Sequence, residues 1–84
     1  MSNEEYEILD ELYFISQFDR LLGNLNMEEE SLKELLIVLY KKGWLRILED
    51  DSEKDVENLD FFHKNYKKYH YLASKAGLLV HNSR

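Results

Sequence analysis

The sequence predicts a mainly α single domain closed by two short β-strands. Three observations carry that reading. The 84 residues include no proline and only three glycines, at 23, 43 and 77, so helix is favoured over a many-turned β fold. Three successive segments repeat their apolar residues at helical spacing, each behind a residue pattern that caps a helix. After Gly43 the apolar spacing changes to the alternation of a strand, over Trp44-Leu45-Arg46-Ile47-Leu48.

The first helix is predicted from about Asn3 to Ile15. Ser2 and Glu5 have capping-box spacing, and Glu4, Glu5 and Glu7 suit the positive end of the helix dipole. Tyr6, Leu9, Leu12 and Tyr13, flanked by Ile8 and Ile15, form a broad apolar face, while Glu7, Asp10 and Glu11 point away from it. Ser16 with Asp19 repeats the cap spacing and predicts a short second helix, Gln17 to about Leu22, with Phe18, Leu21, Leu22 and Leu25 on its core side. Gly23-Asn24 tolerates a left-handed backbone and ends it. Asn26, three residues before Glu29, is expected to cap the third helix, the clearest in the chain. At ~100° per residue, Leu32, Leu35, Leu36 and Leu39 share its core stripe. Lys41 and Lys42 favour the negative end, and Gly43 stops the helix.

A hydrophilic acidic loop at about 49–58 follows the first strand and is expected to be mobile. Residues 59–71 allow two readings. Phe61, Phe62, Tyr66 and Tyr69 can form one helical face, or Lys67 to Leu72 can form a return strand. A short helix or turn around 60–65 followed by a strand is the reading adopted. Ser74 then caps a closing helix that runs to His81.

Two short consecutive helices joined at Gly23-Asn24, with leucines on their facing sides, suit a helix-turn-helix. The run Lys41-Lys42-Gly43-Trp44-Leu45-Arg46-Ile47 is similar to the Lys-Gly-Trp/Tyr-Ile junction of winged-helix domains. Tyr71-Leu72-Ala73-Ser74-Lys75-Ala76-Gly77-Leu78 is similar to the Tyr-x-Leu-Thr-x-x-Gly sequence that closes the wing in such regulators, with Ser74 where threonine is usual. On these residues the chain, over roughly 5–82, resembles a winged helix-turn-helix domain. The resemblance implies one winged-helix-like domain across 1–84, mainly α with a small β wing, in the order helix, helix, helix, strand, wing, strand, helix. It also implies a regulatory protein.

Composition removes several function classes. There is no cysteine, hence no disulfide, thiolate metal site or cysteine nucleophile. The acidic start, Met1-Ser2-Asn3-Glu4-Glu5, is unlike a secretory signal, and no run approaches the ~18 apolar residues of a membrane span. A soluble cytoplasmic protein is expected. Serines 2, 16, 31 and 74 sit at helix starts, and no nucleophile elbow, Walker loop or dinucleotide loop is present, so no enzyme activity and no cofactor are expected. The three histidines, 63, 70 and 81, include no i, i+4 pair, and no metal is expected.

Charge is uneven along the chain, whose net value is −6. All 17 acidic residues lie within 1–62, whereas 63–84 hold five Lys/Arg. Such asymmetry fits either a polyanion-binding segment or a basic tail folded onto an acidic body. The outer face of the third helix decides between them: Glu30, Lys33, Glu34, Ile37, Val38 and Lys41. Major-groove readout needs Arg, Lys, Asn or Gln toward base edges, and Glu28-Glu29-Glu30 at the leading end repels phosphate. The favoured expectation is therefore a non-enzymatic adaptor or regulatory module. It would contact an unknown protein partner or a second copy through Ile37 and Val38, with Glu34 and Lys41 beside them, unless residues 59–71 fold over that face. The alternative is a DNA-binding transcriptional regulator. It would use a basic wing strand carrying Lys64, Lys67, Lys68 and His70 among aromatic rings, assisted by Lys33 and Lys41. Tyrosines packed with wet hydroxyls and solvated lysines are the plainer account of that segment.

Overall fold

The computed structural model describes residues 1–83, so Arg84, one of the five basic residues after position 62, lies outside the described residues. Helix α1 (Asn3–Glu11) starts as its capping box dictates. The Ser2 hydroxyl accepts the Glu5 N–H at 3.1 Å, and the Glu5 carboxylate accepts the Ser2 N–H at 2.9 Å. The helix stops four residues before the expected Ile15, and the chain turns into a short strand, β1 (Ser16–Gln17). The sequence reading had placed a helix start there. The Ser16 hydroxyl caps nothing; it donates to the Gln17 carbonyl at 3.2 Å. Pairing with a strand from the far end of the chain outweighs the local cap signal, because those backbone groups find sheet partners instead.

Helix α2 (Phe18–Asn24) follows without a side-chain cap. Helix α3 (Glu29–Lys41) starts after Glu28, and not after Asn26 as the spacing suggested. Its end has the Schellman pattern: Gly43 takes φ +81°, its N–H reaches Tyr40 O, and the Trp44 N–H reaches Leu39 O, both at 3.0 Å. Then come β2 (Leu45–Leu48), α4 (Phe62–Asn65), β3 (His70–Ala73) and α5 (Lys75–Asn82). The return strand begins at His70 and not at Lys67.

The three strands form one antiparallel sheet in the order β1-β3-β2. Tyr71 of the central strand lies opposite Ser16 on one side and Ile47 on the other. The described residues thus form one compact domain, about half helical, with five helices and a three-stranded sheet. The core joins Ile8, Leu9 and Leu12 of the α1 segment to Phe18, Leu21, Leu32, Leu36, Leu39, Ile47, Phe62 and Tyr71, all without exposure. The apolar face read for α1 is shifted: Tyr13 is exposed, and Ile8 is central. Tyr13 instead helps hold α5. Its hydroxyl donates to Asn82 Oδ1 at 2.7 Å and lies 2.7 Å from His81 Nδ1, while the His81 ring stacks on Tyr6 at 4.1 Å.

The acidic connection, expected as a mobile loop, is tied back onto β2. Val56 N donates to Ile47 O and Glu49 N donates to Lys54 O, both at 2.8 Å, and Leu48 bridges Asp55. Arg46 holds this hairpin with bonds to Asp55 at 3.1 and 3.3 Å and to the Glu53 carbonyl at 3.2 Å. The Asp55 hydrogen bond also raises the Arg46 guanidinium above its ordinary value. Leu48, expected on the wet side of an alternating strand, is therefore buried.

The closing helix is fixed at the end of α3. Ser74 N donates to Trp44 O at 3.0 Å, and the Ser74 hydroxyl donates to Gly43 O at 2.6 Å while accepting the Gly77 N–H at 3.0 Å. A Cβ on Gly77 would meet Trp44 O at 2.0 Å. In an open helix Gly→Ala is worth about 1 kcal/mol of stabilisation. Here the sign reverses: Gly77→Ala is expected to destabilise by about 2 kcal/mol or more, through displacement of α5. Urea unfolding measures it, and an unchanged or raised midpoint would contradict the packing.

Glu5 supplies a second check. Burial pushes its carboxyl up, but the Lys42 ammonium at 2.7 Å and the bonds to Ser2 outweigh burial and hold it below the usual carboxylate range. A carboxyl depressed in the folded state contributes stability above its unfolded value and loses it as pH falls through the folded value. Glu5→Gln is expected to cost about 1–2 kcal/mol at neutral pH. The gap between the two chains should close in acid, which paired unfolding curves at both pH values would show.

Candidate interaction surface

The flank of α3 is divided between covered and open residues. The connection after β2 crosses it. The Tyr40 hydroxyl donates to Val56 O at 3.2 Å. Further toward the helix start, the Tyr66 ring lies under the Lys33 ammonium, 4.4 Å from its centroid, and edge-on to Phe18 at 4.7 Å. The Tyr66 hydroxyl donates to Glu29, and that carboxylate pushes the phenol up to about 12. Ile37 is half-buried against the core, so it is not the open aliphatic that the helical wheel implied. The apolar segment 59–71 was one candidate to cover this face, and it covers the Lys33 side of it.

Glu30, Ser31, Glu34, Val38 and Lys41 remain open, with Val38 at 41% exposure. They form one stripe along the helix: two carboxylates toward the N-terminus, an aliphatic in the middle, and a lysine at the C-terminal end. Lys41 has no ion-pair partner among the described residues, and neither has Glu34.

The residues proposed for nucleic acid do not form a basic strand. Lys64 lies in α4, Lys67 and Lys68 lie in the following turn, and only His70 belongs to β3. Lys67 sits 3.8 Å from both Asp19 and Glu29. Lys33 is buried, 3.3 Å from Glu30. His70 is half-buried, and its Nδ1 has no hydrogen-bond partner. Only Lys64 and Lys68 stand open and unpaired in this segment, among the described residues. The reason is packing: Tyr66 and Tyr71 turn inward, with the Tyr71 hydroxyl donating to Tyr66 O at 2.7 Å, and the intervening lysines follow the turn. Burial pushes the Tyr71 phenol far up, so it stays protonated.

Two grooves flank the sheet. One, about 310 Å³, lies between the acidic hairpin and α4, lined by Glu49, Asp55, Glu57, Phe61 and Tyr69 among others. The other, about 230 Å³, lies at the start of β1, beside Phe14 and Arg20. Neither groove was anticipated from sequence, although Phe14 carried a signal: it falls outside the periodic apolar face of the first helix. Among the described residues, no group of three or more His, Cys, Asp or Glu is placed to hold a metal ion, and no helix is long and apolar enough to cross a membrane.

Lys33 discriminates a structural cation from a ligand-binding one. Lys33→Glu is expected to lower stability by about 2–3 kcal/mol, since it buries a carboxylate beside Glu29 and Glu30 and removes the ring contact. Lys33→Met, which keeps the stem, should lose less. A lysine that served mainly to contact an external ligand would leave the unfolding midpoint unmoved in both variants.

No family model, curated protein or solved structure matches the chain.

Proposed function

We propose that the chain is a non-enzymatic regulatory or adaptor module of winged-helix-like architecture, acting through protein contact. The topology supports the architecture. A strand lies between the first and second helices, β3 sits between β1 and β2, three helices precede the β2–β3 pair, and a helix follows it. The wing in this reading is the long connection from Glu49 to Tyr69, stiffened by Arg46 and by α4.

One observation carries the choice of protein over DNA: the open stripe of α3 leads with carboxylates, and two of the lysines a DNA contact would use, Lys33 and Lys67, are paired within the fold, leaving Lys41, Lys64 and Lys68 open. Lys33 and Lys67 are held by Glu30, Glu29 and Asp19, while Glu30, Glu34 and Val38 face outward. Phosphate contacts release counterions and need unpaired cations, whereas an aliphatic between charged residues suits a protein surface. The contact surface in this reading is Glu34, Val38 and Lys41, with Ile37 supporting them from the half-buried side.

The test has two arms. Anisotropy of labelled mixed-sequence duplex DNA at about 50 and about 200 mM salt should show no binding; affinity that is strong at the lower salt and collapses at the higher one would replace this reading with the DNA-binding regulator. In the second arm, the chain and its Glu34→Lys/Val38→Lys variant serve as paired baits in native extract. A partner held by the first and lost by the second is the expected result. Identical captures by both, from folded baits, would remove α3 as the contact surface.

A further inference from the structure

A sheet has two lateral edges, and this fold treats them differently. The outer side of β2 is covered by the hairpin through Lys54–Val56, which Arg46 pins in place. The outer side of β1 carries no strand among the described residues. At two residues β1 is too short to template a strand, so what this side offers a second chain is its side chains. Beside this edge stands Phe14, 82% exposed, the most exposed large apolar residue among those described. The groove of about 230 Å³ next to it is lined by Glu11, Ile15, Ser16, Arg20 and Asn24, together with Phe14 itself.

The patch has the parts of a self-complementary contact. It offers an aromatic knob and, beside it, a groove whose apolar wall is Phe14 and Ile15 among polar groups. It also holds one anion and one cation. Arg20 is exposed and has no ion-pair partner among the described residues, and Glu11 accepts only a long 3.4 Å bond from Asn24 there. In an isologous interface residue i meets j and j meets i, so a two-fold axis placed between Glu11 and Arg20 sets each beside its opposite charge on the second copy. The chain's net charge of −6 opposes self-contact over most of its surface; this patch contributes both signs.

We infer that two copies of this chain associate through the β1 edge, with Phe14 of each seated in the other's groove and Glu11 facing Arg20 of the second copy. This goes beyond the α3 reading and does not rest on it, since it uses residues of α1, β1, α2 and the turn between them. The burial of an aromatic anchor at the centre supplies most of the affinity, and the crossed ion pairs set the register.

Sedimentation equilibrium of the full chain, from micromolar to high-micromolar concentration, tests this. The natural chain should show a reversible monomer–dimer equilibrium. Phe14→Asp should weaken it about tenfold or more. Glu11→Arg and Arg20→Glu should each weaken it, by opposing like charges across the axis. Mixing these two single variants should restore association, since every crossed pair then joins opposite charges; the Glu11→Arg/Arg20→Glu double variant should likewise recover. Phe14 and Arg20 are solvent-exposed, so their variants keep the fold, and circular dichroism with thermal unfolding checks all of them. A natural chain that stays monomeric, a dimer indifferent to Phe14→Asp, or a mixture that does not associate would each overturn the inference. A dimer broken by Glu34→Lys/Val38→Lys but not by Phe14→Asp would overturn it while leaving the α3 reading intact.

Discussion

The carbonyl of Trp44 is the point on which the rest of the fold depends. It accepts the Ser74 N–H at 3.0 Å and leaves no room for a side chain at position 77. Both halves of the chain meet there. The Schellman end of α3 presents the carbonyl, and the β3–α5 corner receives it. Two glycines make the meeting feasible for different reasons. Gly43 takes a positive φ of +81°, which side chains disfavour. Gly77 has ordinary helical geometry but lets two backbones approach closely. Once α5 is fixed, β3 is positioned to pair on both sides, and β1 is drawn out of the first helix to meet it.

The long connection after β2 does three jobs. Near its start it covers the outer side of β2 and buries Val56 and Leu48. In its middle it supplies Phe62 to the core. Near its end it lays Tyr66 over Lys33 and Glu29 at the head of α3. That last contact accounts for much of the electrostatics. Lys33 meets Glu30, and of the basic tail Lys67 lies 3.8 Å from Asp19 and Glu29, while Lys64 and Lys68 stay open.

Among the described residues three polar ones are buried, Glu5, Lys33 and His81. Glu5 anchors Lys42, and His81 packs between Tyr6 and Tyr13. What the fold leaves open are contact features: the α3 stripe around Val38 and the β1 edge with Phe14. A fold alone does not fix which partner is bound.

The sequence by itself determined what depends on neighbours within one helical turn. Ser2 with Glu5 and Ser74 with Gly77 mark helix starts through bonds that span three residues, and both form as read. The leucine stripe of α3 and the stop at Gly43 follow from helical period and backbone sterics, and the α-rich class with it. The tertiary structure decided whatever needed a distant partner. β1 exists only because β3, some 55 residues away, offers backbone groups to pair with, and no two-residue strand carries a period of its own. Lys33 read as a wet residue because the wheel shows which side is opposite the leucines, not what crosses it; Tyr66, reached only through the fold, covers it. Ile37, on the same side of the wheel, is half-buried against the core. Phe14 lies off the apolar face of the first helix in sequence, but its 82% exposure beside β1 follows from α1 ending at Glu11. Local spacing fixes local hydrogen bonds, but burial is a property of the whole assembled chain.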